Sequence, residues 1–165
     1  MFTLKALSPS AIPAALARAE RYRLLNQPEL SESICEDILA ADPGNHDARI
    51  ALILSITDGF PQSTEHAVRA SELAAGLTSA YERHYYGGLV AERRGRAALV
   101  HDAIGGRAGT HWLHQAMREY ERAEELRPEG NDDARLRWNA CARVFNDRPE
   151  LLALGEEPVA PITSE

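Results

Sequence analysis

The stretch AMREYERAEELRP, residues 116–128, shows the pattern from which the fold follows. Ala116, Tyr120 and Ala123 recur at steps of three or four residues, which places them on one face of a helix. Pro128 ends this pattern, because proline lacks a backbone N–H and disfavours helical backbone in the residue before it. The stretch therefore predicts a helix with small and aromatic residues on its buried face, followed at once by a turn.

Similar patterns, separated by proline, glycine and asparagine, recur along most of the chain. They predict helices over about residues 10–25, 28–42, 48–57, 63–77, 79–94, 110–127 and 131–145. Thr110 and Asn131 are the expected caps of the last two helices, and Gly95 is expected to interrupt the fifth. Apolar residues make up 44% of the chain and alternating strand patterns are not found, so we predict an all-α fold.

The ends of the predicted hairpins recur at a regular spacing. Pro43, at the end of the first hairpin, lies 34 residues before Leu77, at the end of the second. Pro128, at the end of the third, lies 51 residues after Leu77, which corresponds to one further period plus about 17 inserted residues. We expect residues 96–110, which include the flexible sequence GGRAG, to be this insertion.

This spacing and its contents resemble the tetratricopeptide repeat (TPR), a paired-helix repeat in which small and aromatic residues recur. The positions that match the family are Ala19, Tyr22 and Pro43 in the first copy, Ala67 and Ala74 in the second, and Gly88, Gly95, Ala116, Tyr120, Ala123 and Pro128 in the third. The resemblance covers roughly residues 10–145. It implies antiparallel helical hairpins stacked as a short right-handed solenoid of about seven helices, the last of them a C-terminal capping helix.

We therefore expect one helical domain over residues 1–145 and an acidic, proline-containing tail over residues 146–165. The hairpins are expected at about 10–42, 46–77 and 79–127, with the insertion near 96–110, and the capping helix at 131–145. Asp132 and Asp133 fall in the first turn of that helix, where carboxylates favourably meet the helix dipole. Trp138 and Phe145 share the face that should cover the third hairpin.

The resemblance also implies that the first helix of each hairpin lines a concave groove. The residues that it places there are Glu20, Arg23, Leu24, Ile50, Leu54, Tyr85, Leu89 and Arg93. A groove that mixes apolar residues and arginines suits a helix or an extended segment of another protein. Ile50 and Leu54 have a second interpretation, since both could simply belong to the core.

Composition excludes several classes of function. The net charge of −7 would repel a nucleic-acid backbone, so nucleic acid is not an expected partner. The start of the chain lacks the pattern of a signal peptide, and the longest apolar run is too short to span a membrane, so we expect a cytoplasmic protein. Cys35 and Cys141 each lie in an apolar helical pattern, which predicts two buried thiols rather than a disulfide or a reactive site.

Histidines suggest a metal site only weakly. His84, His101, His111 and His114 lie near Asp102, and His111 and His114 are three residues apart on one predicted helix. A third ligand at a diagnostic spacing is missing, and GGRAG lacks the lysine and hydroxyl residue of a phosphate-binding loop. We therefore expect neither a metal nor a cofactor.

Charged residues are clustered on both sides of the expected insertion. The basic cluster comprises Arg93, Arg94, Arg96 and Arg107, and the acidic cluster comprises Glu119, Glu121, Glu124, Glu125 and Glu129. One interpretation is that these are solvated faces that partly pair with each other. The other is that the arginines form a carboxylate-binding patch for an acidic peptide.

These observations favour a non-enzymatic adaptor or scaffold that binds a peptide or helix of another protein in the concave groove. A clustered nucleophile, base and oxyanion-stabilising set is not found in the sequence. The first alternative is a structural subunit that assembles, with itself or with a larger complex, through its convex face or its capping helix. A histidine-based metal enzyme is the second alternative.

Overall fold

The computed structural model describes residues 2–101 and 106–155, which form helices joined by short turns. Within these residues the α-helices are α1 (Ile12–Leu24), α2 (Pro28–Ala41), α3 (His46–Asp58), α4 (Ala67–Ala75), α5 (Ala80–His101), α6 (Arg107–Glu125), α7 (Asp133–Asp147) and α8 (Glu150–Gly155). A 3-10 turn, Pro9–Ala11, precedes α1. The described residues contain no strand, which confirms the prediction of an all-α chain.

Neighbouring helices in the chain are also neighbours in space. Each helix from α1 to α7 contacts the next, and α8 contacts α6 and α7. The odd-numbered helices contact one another as well, since α1 touches α3, α3 touches α5 and α5 touches α7. Successive contacts therefore link α1, α3, α5 and α7 in this order.

Helix α5 is longer than the sequence predicted. It continues through Gly95 to His101, and α6 already begins at Arg107, so Gly95 is not an interruption and Thr110 is not a cap. Most of the expected insertion at 96–110 is therefore helical, and its residues 102–105 lie outside the described residues. The prediction at Gly95 was wrong because this glycine is used for close packing and not for a turn.

Helices α5 and α6 approach each other closely at glycines. A Cβ atom at Gly95 would lie 3.0 Å from the carbonyl oxygen of Gly109 on α6, so a side chain there would require the two helices to move apart by a few tenths of an ångström. Two helical turns earlier, a Cβ atom at Gly88 would lie 2.7 Å from Cε1 of Tyr120, whose side chain is fully buried. The glycines thus let the backbones of α5 and α6 approach closely and let the ring of Tyr120 pack directly against α5.

Two apolar clusters form the core, and α5 contributes to both. The first, among α1 to α5, includes Leu52, Ile53 and Phe60; the second, among α5 to α8, includes Leu113 and Tyr120. As predicted, Cys35 and Cys141 are buried free thiols, one in each cluster. Ile50 and Tyr85 are partly buried and pack against the first and second cluster respectively.

The C-terminal part extends beyond the predicted capping helix. Helix α7 begins at Asp133, where the side chain of Asn131 accepts the backbone N–H of that residue at 2.9 Å. Phe145 is buried, as predicted, whereas Trp138 is only partly buried and donates its Nε1–H to Glu121 at 3.0 Å. The first residues of the predicted tail complete α7 and form α8, and residues 156–165 lie outside the described residues.

We expect Gly88→Ala to destabilise the fold by about 1–3 kcal/mol, because the new methyl group overlaps the buried ring of Tyr120. Gly87→Ala in the same helix is the matched control, since a Cβ atom there meets nothing within 4 Å. The control should be neutral or stabilising by up to about 1 kcal/mol, the helix preference for alanine over glycine. Urea unfolding followed by circular dichroism measures both changes, and equal effects of the two substitutions would contradict the close contact.

Candidate functional site

Charged side chains from α1, α3 and α5 meet where these helices contact one another. Arg23 of α1 donates its Nε–H to Oδ2 of Asp58 at 2.8 Å, at the end of α3. Arg93 of α5 pairs with the other oxygen of Asp58 and donates to the hydroxyl of Thr57 at 2.6 Å and to the carbonyl of Leu54 at 3.1 Å. Asp58 thus joins two arginines that are 70 residues apart in the sequence.

A second group of charged residues joins α5, α6 and α7 around a buried carboxylate. Glu92 is only 2% exposed and accepts hydrogen bonds from the Nε–H of Arg96 at 2.9 Å and from the hydroxyl of Tyr120 at 2.7 Å. Nη1 of Arg137, on α7, lies 3.5 Å from the same carboxylate. Arg96 also donates to the carbonyl of Ala140 on α7 at 3.3 Å, so two arginines tie α7 to this group.

We call these six residues the arginine face: Arg23, Arg93, Arg96, Arg137, Asp58 and Glu92. Their arginines exceed their carboxylates by two, although the whole chain carries a net charge of −7. The arginine side chains retain between 22% and 43% of their exposure, so they are held in place and still reach solvent. The face is therefore a local positive region on an acidic protein.

The surroundings change the pKa of two of these arginines in opposite directions. Burial lowers the pKa of Arg93, and the nearby Asp58 carboxylate only partly offsets this. Burial also acts to lower the pKa of Arg137, but Glu92, Tyr120 and Tyr85 outweigh it and raise the pKa overall. Both guanidinium groups stay protonated at neutral pH, because the pKa of arginine starts above 12.

A cavity of about 280 Å³ opens beside this face, between the end of α3 and the second half of α5. Its lining includes Arg93 and Arg96 together with the apolar groups of Pro61, Ala97 and Val100. The side chain of Val100 is 81% exposed. An apolar surface therefore lies directly beside two guanidinium groups.

The eight residues that the sequence placed in the groove differ in their location and burial. Arg23, Leu54 and Arg93 lie together, joined through Asp58 and the carbonyl of Leu54. Glu20 and Leu24 are exposed on α1, and Ile50 and Tyr85 are partly buried, as described above. Leu89 is 1% exposed and belongs to the core, so it does not line a surface.

Sequence reasoning placed Arg96 in the basic cluster and missed three members of the face: Asp58, Glu92 and Arg137. Arg96 follows Glu92 by four residues, which is the spacing of an ion pair on one helix and was the available signal. Arg137 lies 45 residues after Glu92, so no local pattern connects them.

Three arginines of the predicted basic cluster have partners other than the predicted acidic cluster. Arg93 and Arg96 pair with Asp58 and Glu92, and the guanidinium of Arg94 lies 3.9 Å from the ring centre of Trp112. Among the acidic residues of α6, Glu119 bonds His84 at 2.7 Å and Arg122 at 3.2 Å, and Glu124 bonds Arg127 and Arg135.

The histidines lie in ordinary structural surroundings. His114 stacks on Phe145 with ring centres 4.6 Å apart, and burial, followed by the charge of Arg118, lowers the pKa of His114. His111 contacts the edge of Trp112. Over residues 2–101 and 106–155 no three His, Cys, Asp or Glu side chains come together in a group that could hold a metal ion; Asp102 and the side chain of His101 lie outside the description.

Comparison with known proteins gives no relative. Neither a family model, nor a curated protein, nor a solved structure matches the chain. Among the helices described here, none has the length and apolar character needed to cross a membrane. The function is therefore inferred from the arrangement of the residues themselves.

We expect Tyr120→Phe to lower the free energy of unfolding by about 1–3 kcal/mol, because the buried Glu92 loses one of its hydrogen-bond donors. Tyr86→Phe on α5 is the control, since Glu92 takes its hydrogen bonds from Arg96 and Tyr120 and not from Tyr86, and it should cost less than about 0.5 kcal/mol. Chemical unfolding monitored by fluorescence compares the two. Equal losses would show that the hydroxyl of Tyr120 has no special role.

Both cysteines should be unreactive in the folded protein. Burial raises the pKa of Cys35 to about 11 and that of Cys141 to about 12, so little thiolate forms at pH 8. Incubation with a thiol reagent at pH 8 should label neither residue, and labelling in guanidinium chloride should modify both. Rapid modification of either thiol in the native protein would contradict the described burial.

Proposed function

We propose that the chain is a non-enzymatic interaction module that binds an acidic segment of another protein on the arginine face. One observation carries this proposal: Asp58 and Glu92 each hold two arginines, and these four arginines come from α1, α5 and α7. Arginine suits this role, because its planar guanidinium binds a carboxylate through two parallel hydrogen bonds.

We further propose that the helices stack as a short TPR-like solenoid, with the odd-numbered helices on the concave side. The 34-residue spacing of Pro43 and Leu77 supports this arrangement, as do the contacts of α1 with α3, α3 with α5 and α5 with α7. Helices α7 and α8 would then cover the end of the stack, which agrees with the burial of Phe145 and Leu151.

An acidic partner can bind although the whole chain is negatively charged. Exposed charges farther away than about 8 Å are largely screened at physiological ionic strength, so the local excess of arginine decides the interaction. The neighbouring cavity offers the exposed Val100 to an apolar side chain next to the partner's carboxylate. A segment that alternates acidic and apolar residues therefore fits the face better than a uniformly acidic one.

Arg96→Gln should raise the dissociation constant of a fluorescently labelled peptide of alternating glutamate and leucine by about tenfold. This factor corresponds to the binding free energy lost with one charge-assisted hydrogen bond. Arg96 is chosen because its side chain is 43% exposed, and Glu92 keeps Tyr120 and Arg137 as partners. Fluorescence anisotropy measures the dissociation constant, and circular dichroism verifies that the fold is intact.

Arg143→Gln is the matched control, because it removes an equal charge from an exposed position of α7 outside the arginine face. It should leave the affinity unchanged, and a peptide with glutamine in place of glutamate should bind much more weakly to the unmodified protein. Equal loss in Arg96→Gln and Arg143→Gln, or equal affinity for both peptides, would overturn the proposal.

A further inference from the structure

Exposed apolar side chains are concentrated at the start of the chain. Among the described residues ten large apolar side chains are exposed, and five of them lie within the first 30 residues: Phe2, Leu4, Leu24, Leu25 and Leu30. Phe2 and Leu4, in the extended segment before α1, are 99% and 85% exposed. This density contrasts with the rest of the described chain and marks the first hairpin as an interaction surface.

A groove lies between α1 and α2, and the exposed Leu30 is part of its lining. Its volume is about 410 Å³, and its lining comes from α1, α2 and the segment that precedes α1. Ala11, Ala14 and Ala15 form a floor of small side chains, while Tyr22 and Ile34 add apolar walls. We call this the hairpin groove; it has room for large apolar side chains such as those of Phe2 and Leu4.

The charges of the hairpin groove complement those of a second copy of itself. Arg18 on α1 and Asp37 on α2 are exposed and lie on opposite walls of the groove. Of the four carboxylates of α2, Glu32 and Glu36 pair with Arg69 of α4, so Glu29 and Asp37 are the two that face other partners. Of the three arginines of α1, Arg23 pairs with Asp58, and Arg18 and Arg21 are exposed. A two-fold rotation that places α1 of one copy against α2 of another therefore brings basic residues to acidic ones twice.

We propose that the hairpin groove is the interface of a symmetric dimer of this chain. In this dimer, Phe2 and Leu4 of each copy enter the groove of the other, and Arg18 of each copy pairs with Asp37 of the other. A second copy is the occupant that fits, because the groove is self-complementary in charge and the apolar segment begins at its edge, where Leu7 contributes to the lining.

The dimer leaves the arginine face accessible, since Arg23 points from α1 toward Asp58 of α3 and does not line the hairpin groove. Each dimer then presents two arginine faces. A partner with two acidic segments would gain avidity from binding both, which goes beyond the interaction proposed above.

Sedimentation velocity over a concentration series tests the dimer. The unmodified protein should sediment with twice the 18.2 kDa mass of one chain and dissociate on dilution. Arg18→Asp and Asp37→Arg should each raise the dimer dissociation constant at least about tenfold, because each places like charges opposite one another. Arg143→Asp, on the exposed surface of α7, is the control and should leave the dimer unchanged.

Mixing the two single variants gives the decisive result. The introduced carboxylate of the Arg18→Asp chain then faces the introduced guanidinium of the Asp37→Arg chain. At the second contact, the native Asp37 of the first chain faces the native Arg18 of the other. Both contacts are therefore attractive, and the mixture should recover the dimer as a heterodimer.

Three results would each overturn the proposal: a monomeric unmodified protein, unchanged association of the single variants, or a mixture that stays monomeric. Phe2→Ser with Leu4→Ser should also weaken the dimer, because the segment loses the apolar side chains that enter the groove. An unchanged dimer dissociation constant in that double variant would show that the segment containing Phe2 and Leu4 is not part of the interface.

Discussion

The close contact of α5 and α6 at glycines is the constraint on which the rest of the structure depends. Because Gly88 has no side chain, the ring of Tyr120 lies against the backbone of α5 and its hydroxyl reaches Glu92. Glu92 in turn orders Arg96 and Arg137. The same contact therefore fixes the packing of two helices and the position of half of the arginine face.

The charged groups of the arginine face form ion pairs with each other in the unbound protein. Removing charges from water is costly, and this cost offsets much of the attraction within a buried ion pair. Asp58 and Glu92 each hold two arginines, which keeps four guanidinium groups ordered while leaving a positive excess. A preordered cationic face of this kind loses little conformational entropy when it binds an acidic segment.

Periodicity in the sequence predicted much of the fold and little of the site. Ala116, Tyr120 and Ala123 are all buried on α6, as their spacing indicated. Gly95 was misread as a turn because a glycine required for close packing looks the same in sequence as one that ends a helix. The contacts of Gly95 with Gly109 and Leu113 on the neighbouring helix distinguish the two cases. The partnership of Glu92 with Arg137 depends on tertiary contact, so no spacing in the sequence reveals it.

The most direct test of the account follows the arginine side chains themselves. In an NMR titration with an acidic, leucine-containing peptide, the Nε–Hε signals of Arg23, Arg93, Arg96 and Arg137 should shift together and saturate at one peptide concentration. Signals of Arg118 and Arg122 on α6 should remain in place. Shifts concentrated on α6, or no shift of the four arginines at saturating peptide, would contradict the assignment of the arginine face as the binding site.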